Sequence, residues 1–186
     1  MDESLTLDNG GQDVSLAQLL PVDRLQFRKD LQEAFMAAIR DRLPLEPDEG
    51  PIPSDADVFE SLDASKAVAF HILAGGQKVG GAVLVIDTTT HRNSLSFFFV
   101  NPGVHSRGIG QQAWTLIEHT FPETLTWETH TPYFEKRNIH FYVNKCGFKI
   151  VEFFNERHPD PHDPDIDSER FEEGMFRFEK QMMPPI

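Results

Sequence analysis

The sequence predicts an α/β fold built on one mixed, mainly antiparallel β-sheet. Three apolar, β-branched runs follow one another with turn residues between them, a pattern typical of antiparallel strands. A helical pattern separates the third run from a fourth, and a right-handed strand–helix–strand crossover makes those two strands parallel. The 186 residues fit a single domain, residues 1–186, which buries about 70% of its unfolded surface.

The N-terminal part of the chain is predicted to hold one strand and two helices. Hydrophobic alternation over residues 12–20 indicates a short strand. An apolar stripe at helical spacing predicts a helix over residues 23–43, and Pro44 ends it. A proline-rich acidic stretch follows as a surface loop, in which Ser54 caps a short helix that runs through Leu62.

The middle of the chain predicts three consecutive antiparallel strands. Residues 66–73 and 79–86 are apolar and β-branched, and the intervening Ala-Gly-Gly-Gln at 74–77 is a hairpin turn. A second turn at 88–93 leads into the strand that contains Leu95.

The C-terminal half is predicted to hold two helices and three strands. In chain order these are a helix at 108–121, a strand at 124–130, a helix containing Tyr142 and closed by Gly147, a strand at 148–154, and a last strand at 171–180. A long loop over residues 158–169 precedes the last strand.

Composition and charge exclude several classes of protein. A formal net charge of -13 argues against nucleic-acid binding, because phosphate backbones require a basic face. No apolar run approaches the roughly 20 residues that cross a bilayer. The N-terminus lacks the basic start and apolar core of an export signal, so we expect a cytoplasmic protein. The single cysteine, Cys146, excludes an intrachain disulfide.

The chemistry is expected in the stretch from Leu95 to Phe121. An apolar run there ends at Pro102, and a polar loop then leads through Gly108-Ile109-Gly110 into a helix. The first amides of a helix lack intrahelical partners and lie at its positive end, so glycines that admit close approach create an anion cradle. The loop is not a P-loop, because no Lys-Ser/Thr follows the second glycine, and it lacks the three-glycine Rossmann spacing.

Two motifs resemble those of the GNAT family of acyl-CoA-dependent N-acyltransferases. The family's central motif is Q/R-x-x-G-x-G/A after Val-x-Pro, and here Val100–Pro102 is followed by His105–Gly110. His105 stands where Gln or Arg is usual, so the basic contact to the CoA phosphates falls to Arg107. About thirty residues downstream, Asn138–Phe148 resembles the second motif, a helix that carries a tyrosine and ends in Gly-Phe.

The resemblance implies a sheet with helices on both faces, in which the two parallel strands splay apart and admit the pantetheine arm of acetyl-CoA. The implied acetyl-CoA-binding residues are Phe98, Phe99, Val100, His105, Ser106, Arg107, Gly108, Ile109, Gly110 and Asn138. The commonest family asparagine comes earlier than Asn138, where this chain has Glu135. We expect a monomer or homodimer that uses acetyl-CoA and an amine and needs no metal.

Three residues are candidates for the catalytic proton transfers. By family position Tyr142 protonates the departing CoA sulfur, and a phenol with a pKa of about 10 stays protonated at neutral pH. The alternative for Tyr142 is a packing role in the core. Glu128 and His130 lie two apart on one strand and so share a face, and either could take the ammonium proton through water. The alternatives are a solvent-facing role for Glu128 and a capping or packing role for His130.

Two other groups of residues have both a chemical and a structural interpretation. His158, Asp160, His162 and Asp163 carry side chains that bind zinc, but the interleaved prolines favour an exposed acidic loop. Cys146 has no basic motif beside it, which favours a small buried residue and direct transfer over a cysteine nucleophile.

The sequence thus predicts an acetyl-CoA-dependent N-acetyltransferase that acts on a small amine or an exposed peptide amine. Carboxylates concentrate in residues 46–60 and 160–173, which the resemblance places around the acceptor entrance, so a cationic amine is expected. A run of carboxylates is also typical of a solvated face. The alternative function is a CoA-binding sensor or partner-binding module without turnover.

Overall fold

An eight-stranded sheet forms the centre of the described structure. The computed structural model describes residues 6–7, 13–40, 50–104, 108–162 and 174–183. The strands are β1 Thr6–Leu7, β2 Val14–Gln18, β3 Ala67–Ala74, β4 Gln77–Val85, β5 Arg92–Val100, β6 Thr126–Pro132, β7 Lys149–Phe154 and β8 Met175–Gln181. Their order across the sheet is β1-β2-β3-β4-β5-β6-β8-β7.

Four helices accompany the sheet in this part of the chain. They are α1 Arg24–Ile39, α2 Asp55–Asp63, α3 Ile109–Thr120 and α4 Lys136–His140, the last continuing into a π-helical turn, Phe141–Lys145. The predicted first helix ends earlier than expected, at Ile39, and residues 41–49 lie outside the described ranges. None of the described helices is long and apolar enough to cross a membrane.

The helices lie on both faces of the sheet, as predicted. Neighbouring side chains of β5 show this directly, because successive residues of a strand point to opposite faces. Phe97 and Phe99 contact α1, where Phe99 meets the Phe27 ring with centroids 5.3 Å apart. Val100 packs instead with the cluster of Ile109 and other buried residues of α3.

The predicted hairpin and helix cap are both present. Gly75 and Gly76 form the β3–β4 turn with φ of +57° and +78°, and two consecutive positive φ angles are what the tightest hairpin turns require. The Ser54 side chain accepts the Asp57 N–H at 3.1 Å, while the Asp57 carboxylate accepts the Ser54 N–H at 2.9 Å. This reciprocal pair satisfies two amides at the start of α2.

The parallel pair β5–β6 is joined at one end and open at the other. Its register runs from Arg92 opposite Thr126 to Leu95 opposite Thr129. Beyond that point β5 stays paired with β4, and β6 stays paired with β8. The two strands therefore part after Leu95 and Thr129, which confirms the mixed sheet with a splayed parallel pair.

The main core fills the space between α3 and the C-terminal half of the sheet. Trp114 on α3 and Trp127 on β6 are almost fully buried and meet edge to face at 5.2 Å. Phe148, Phe178 and Tyr142 belong to the same cluster. Large aromatic side chains of this kind contribute most of the buried area in a core, so the open end of the β5–β6 pair rests on a rigid base.

Candidate functional site

The gap between β5 and β6 exposes one backbone edge of β5. The Asn101 N–H donates to the Val79 carbonyl at 2.8 Å, which fixes the alternation of backbone groups along the end of this strand. Backbone groups alternate in direction along a strand. Every second residue counted back from Asn101 therefore turns its amide and carbonyl toward β4, and the residues between them, Phe98 and Val100, turn theirs toward the gap. Phe99 turns its backbone to β4 and its ring to Phe27.

The start of α3 is an open cradle at the end of that edge. Gly108 precedes the helix with φ +70°, and its carbonyl accepts the Gln112 N–H at 2.9 Å. A Cβ added at Gly108 would meet nothing nearer than the Gln112 Nε2 at 3.7 Å. Backbone amides at a helix start with open space beside them are suited to an anion. The predicted contacts His105, Ser106 and Arg107 lie outside the described residues.

A pair of stacked aromatic rings lies behind Gly110. Phe98 and Phe141 have centroids 5.5 Å apart and planes 22° from parallel. A Cβ at Gly110 would come within 3.2 Å of the Phe141 ring and 3.7 Å of Phe98. Glycine at this position therefore lets α3, β5 and the π-helical turn approach one another.

The π-helical turn places two successive aromatic residues at the gap. The Cys146 N–H donates to the Phe141 carbonyl at 3.0 Å, a bond that spans five residues instead of four. A single turn of this kind is often found at functional sites. It turns Phe141 toward Phe98, while Tyr142 enters the core beside Phe148 and Phe178.

The Tyr142 hydroxyl lies where β5 and β6 part. It hydrogen-bonds to the Thr129 side chain, and the Thr129 Oγ1 donates to the Leu95 carbonyl at 3.0 Å. Burial raises the pKa of Tyr142 well above its ordinary value, and the bond to Thr129 opposes only part of that effect. The phenol is therefore protonated at any physiological pH.

The opposite face of β6 carries Glu128 and His130, which line a cleft of about 400 Å³. Glu128 is directly opposite Glu179 on β8, and like charges in that position repel. Arg177 relieves the repulsion, because its Nη1 donates to Glu128 at 3.0 Å and to Glu179 at 2.7 Å. Its Nε donates to Glu152 at 3.1 Å. Glu128 is thus held in an ion-pair network.

The pKa values of two carboxyl groups in this network, Glu152 and Glu179, are lowered. The pKa of Glu152 is lowered first by its contact with His158 and then by Arg177. Burial opposes ionisation of Glu179, but hydrogen bonds from Arg177 and Arg92 outweigh it and lower the pKa of that carboxyl. The cleft floor is therefore a fixed arrangement of charges at neutral pH.

His130 is the first residue of β6 beyond the segment that pairs with β5. Its ring is nearly parallel to that of Phe154, with centroids 6.1 Å apart and planes 19° from parallel. Its Nε2 lies 3.8 Å from the Asp160 Oδ2. Because Thr129 faces Tyr142 and its neighbour His130 faces the cleft, these two groups flank the point of divergence from opposite faces of the sheet.

Other candidate residues have definite places. Asn138 is half-buried on α4, and the buried Glu135 begins that helix, its carbonyl accepting the Ile139 N–H at 3.0 Å. Cys146 is 3% exposed, as expected of a small buried residue, and burial raises the pKa of its thiol to about 12. Within the described ranges, no group of three or more His, Cys, Asp or Glu side chains is arranged to hold a metal ion. Asp163 lies outside them.

Three acidic residues of α2 have structural partners. The Asp55 carboxylate pairs with Arg28 on α1, and Asp63 pairs with Arg24 at 2.7 Å. Asp57 completes the helix cap. Residues 46–49 and 163–173 are outside the described ranges, so the expectation for them stays a prediction. The acidic groups that line the described cleft come instead from β6, β7 and Asp160.

Three residues of this site carried no sequence signal. Thr129 and Arg177 matter through cross-strand contacts that join parts of the chain distant in sequence. Phe141 matters because the π-helical turn directs it toward Phe98. Such a turn contains one residue more than an α-helical turn, and no sequence pattern marks the extra residue. Side-chain alternation did give the shared face of Glu128 and His130.

Comparison with known proteins agrees with this geometry. The family model described as "Acetyltransferase (GNAT) family" matches residues 27–148. The uncharacterized protein YrkN of Bacillus subtilis (strain 168) is 56% identical over 140 residues, 75% of each chain. The ribosomal-protein-S18-alanine N-acetyltransferase of Escherichia coli shares the fold at a TM-score of 0.65 and 12% identity, over 93% of this chain and 96% of the other. The PaiA N-acetyltransferase of Thermoplasma acidophilum, solved in complex with coenzyme A, gives 0.63 and 13% over 91% and 99%. The chain therefore belongs to the GNAT family of acetyltransferases.

Proposed function

We propose that the protein transfers an acetyl group from acetyl-CoA directly to a primary amine of a small cationic molecule or peptide. The observation that carries this proposal is the point where β5 and β6 part. Tyr142 approaches it from one face through Thr129, and His130 follows Thr129 on the other face. A proton donor and a proton acceptor on opposite sides of one opening suit a transfer between two ligands.

The residues along the gap fit acetyl-CoA. The backbone groups of Phe98 and Val100 that face the gap match the amides of a pantetheine arm, and the open side of Gly108 admits a pyrophosphate. His105, Ser106, Arg107 and Asn138 remain proposed contacts. When bound, acetyl-CoA supplies an activated acyl carbon as a thioester, and the residues named below handle the protons.

Tyr142 is the proposed acid for the departing thiolate. Its burial keeps the phenol protonated, and its hydrogen bond with Thr129 holds the hydroxyl beside the opening. The raised pKa of a buried phenol makes full loss of its proton costly, so the hydroxyl is proposed to stabilise the charge that develops on the departing sulfur by donating a hydrogen bond to it.

His130 is the better candidate for the base. Glu128 lies opposite Ser94 inside the paired segment, and its charge is matched by Arg177 at 3.0 Å. A carboxylate in such a pair loses an attractive contact when it takes a proton. His130 lies beyond the last residue of β6 that pairs with β5, so it adjoins the opening, and histidine is the side chain that most often serves as a general base.

Direct transfer follows from the state of the single cysteine. A thiol nucleophile reacts as the thiolate, and the pKa of Cys146, raised to about 12 by burial, leaves almost none at neutral pH. The amine itself is therefore the proposed nucleophile. A cationic acceptor is favoured because three carboxylates, Glu128, Glu152 and Asp160, line the cleft against two guanidinium groups, Arg92 and Arg177.

A second candidate function is CoA binding without turnover. Its support is that Tyr142 is only 5% exposed and packs among Phe148 and Phe178 as a core residue does. In that case the cradle at Gly108 binds CoA, and the cleft serves another partner.

One assay separates the two functions. Release of CoA thiol from acetyl-CoA is measured with polyamines, aminoglycosides, basic peptides and acidic amino acids at two ionic strengths. We expect turnover with cationic amines, with an advantage that shrinks as salt screens charges beyond about 10 Å at 0.1 M. Binding of CoA without thiol release across the whole panel would identify the binding module. Better turnover with acidic amino acids would contradict the cationic acceptor alone.

A further inference from the structure

Asp160 is a buried carboxylate that has no part in the proton transfers proposed above. Its side chain is 8% exposed, although it lies on the loop after β7. One oxygen accepts the His162 N–H at 2.8 Å, and the other lies 3.8 Å from the His130 Nε2. A buried carboxylate costs free energy unless other groups compensate its charge. The neighbouring imidazole is a group that compensates it whenever the ring is protonated.

The loop that carries Asp160 is fastened to the sheet. Asn155 and His158 exchange two backbone hydrogen bonds, each 3.0 Å long. The His158 Nε2 lies 2.9 Å from the Glu152 Oε1, and its ring is nearly parallel to that of Phe154, with centroids 5.7 Å apart. These contacts fix the start of the loop just before Asp160 enters the cleft.

Two imidazole–carboxylate pairs therefore lie against one phenyl ring, that of Phe154. His130 with Asp160 and His158 with Glu152 both have rings nearly parallel to Phe154. They differ in position, because His130 adjoins the divergence of β5 and β6, while the His158 side chain is 57% exposed. The second pair is thus an internal control for the first.

We propose that Asp160 is a positioning residue that holds His130 with its Nε2–H toward the carboxylate and leaves Nδ1 as the atom that accepts the amine proton. This inference rests on the proposed function, because it assigns His130 as the base. The amine nitrogen forms the bond to the acyl carbon with its lone pair, and its proton passes to Nδ1. The carbon–sulfur bond of the thioester then breaks, and the CoA thiolate leaves as a hydrogen-bond acceptor of Tyr142. The resulting imidazolium is stabilised by the Asp160 charge, and Asp160 itself takes no proton.

Two other carboxylates of the described cleft already have a cationic partner. Arg177, which lies directly opposite His130 on β8, binds Glu128 on the same strand as His130 and Glu152 on β7. His162 follows Asp160 on the loop and lines the same cleft. An opposite charge within about 4–6 Å favours the protonated imidazole, so loss of Asp160 should ease deprotonation of His130. The pH dependence of turnover measures that change.

The test compares Asp160→Asn with Glu152→Gln, two variants that remove the same charge from the same cleft. The asparagine oxygen can still accept the His162 N–H, which preserves the loop.

The readout is the pH dependence of turnover. In a plot of log(kcat/KM) against pH, the slope should be two below the pKa of His130, because both the imidazole and the amine must lose a proton. Above that pKa the slope should be one, so the plot has a break at the pKa. We expect Asp160→Asn to lower this break by about one pH unit and kcat/KM about tenfold. Glu152→Gln should shift the break less than half as far, and neither variant should change CoA affinity.

A measurement on the unmodified protein keeps the inference testable if Asp160→Asn fails to fold. Nitrogen-15 NMR of the histidine rings reports which nitrogen carries the proton, and His130→Asn assigns the signal. We expect the Nε2–H form for His130 at high pH. The Nδ1–H form, an unshifted break in Asp160→Asn, or equal shifts in both variants would overturn the role of Asp160. Failure of the proposed function differs, because wild-type protein would then release no CoA thiol with any amine.

Discussion

The cradle at the start of α3 can be tested by alanine substitution at two glycines with the same backbone conformation. Gly108 has φ +70° and Gly76 has φ +78°. A Cβ added at Gly108 meets nothing nearer than Gln112 at 3.7 Å, and one added at Gly76 meets nothing within 4 Å. In the absence of ligand, Gly108→Ala and Gly76→Ala therefore introduce similar backbone strain and no clash.

The expected magnitudes follow from this match. A left-handed conformation costs an alanine roughly 1–2 kcal/mol, and a chain of this size loses about 2–4 °C of Tm per kcal/mol. Each variant should thus melt roughly 2–8 °C below wild type without ligand. CoA at about 100 times its Kd adds about 2.7 kcal/mol to the folded state. That corresponds to roughly 5–11 °C. The two variants should differ only in this CoA-dependent rise of Tm, because the new methyl group at Gly108 occupies space beside the helix start.

The assay is thermal unfolding with and without CoA for wild type and both variants. Gly76→Ala should keep the full CoA shift, whereas Gly108→Ala should lose half of it or more, since a tenfold weaker Kd leaves about half of the stabilisation. An equal CoA shift in the two variants would mean that the phosphates bind elsewhere and would refute the cradle. Equal melting points without CoA are the control for the strain argument.

Three further predictions concern the protons of the site and of the fold. Tyr142→Phe should retain CoA binding and lose roughly 10² in turnover, the scale of a general acid; turnover within a few-fold of wild type would leave Tyr142 a packing residue. His130→Asn should lower turnover by roughly 10² or more, while Glu128→Gln should keep turnover within about tenfold of wild type, because only His130 adjoins the opening. A larger loss in Glu128→Gln than in His130→Asn would make Glu128 the base. The pKa of Asp87 is lowered chiefly by the Thr89 N–H. The ionised carboxylate therefore stabilises the folded protein at pH values above the pKa of Asp87 in the unfolded chain, and this contribution is lost as the pH falls toward the folded-state pKa. Asp87→Asn should therefore destabilise the protein at pH 7, and the difference from wild type should shrink below about pH 4.

Local patterns in the sequence were sufficient for most elements of the fold. Residues 74–77 predicted the hairpin because glycine tolerates the positive φ of a tight turn, and Ser54 predicted a helix start because its oxygen satisfies a free amide. The order of strand, helix and strand predicted the parallel pair, since the crossover has one favoured hand. Each of these depends on neighbours in sequence.

Features that depend on register across the sheet could not be predicted. Arg177 binds Glu128 only because β8 pairs with β6 so that Glu179 lies opposite Glu128. The same holds for the approach of Asp160 to His130, which requires the loop after β7 to fold back over the cleft. Charge counting along the chain also could not show that Asp55 pairs with an arginine of α1.

Strand β6 determines how the two halves of the site are arranged. Alternation along one strand sends Thr129 toward Tyr142 and sends Glu128 and His130 into the cleft. The pairing of β5 with β6 ends at Leu95 and Thr129. His130 is therefore adjacent to the opening, whereas Glu128 lies inside the paired segment. A shift of β6 by one residue would exchange its two faces, placing threonines in the cleft and charged groups in the core. The buried Trp127 opposes that shift, because it can be buried against Trp114 in one register alone. The packing of the core therefore fixes which side chain of β6 meets the acceptor.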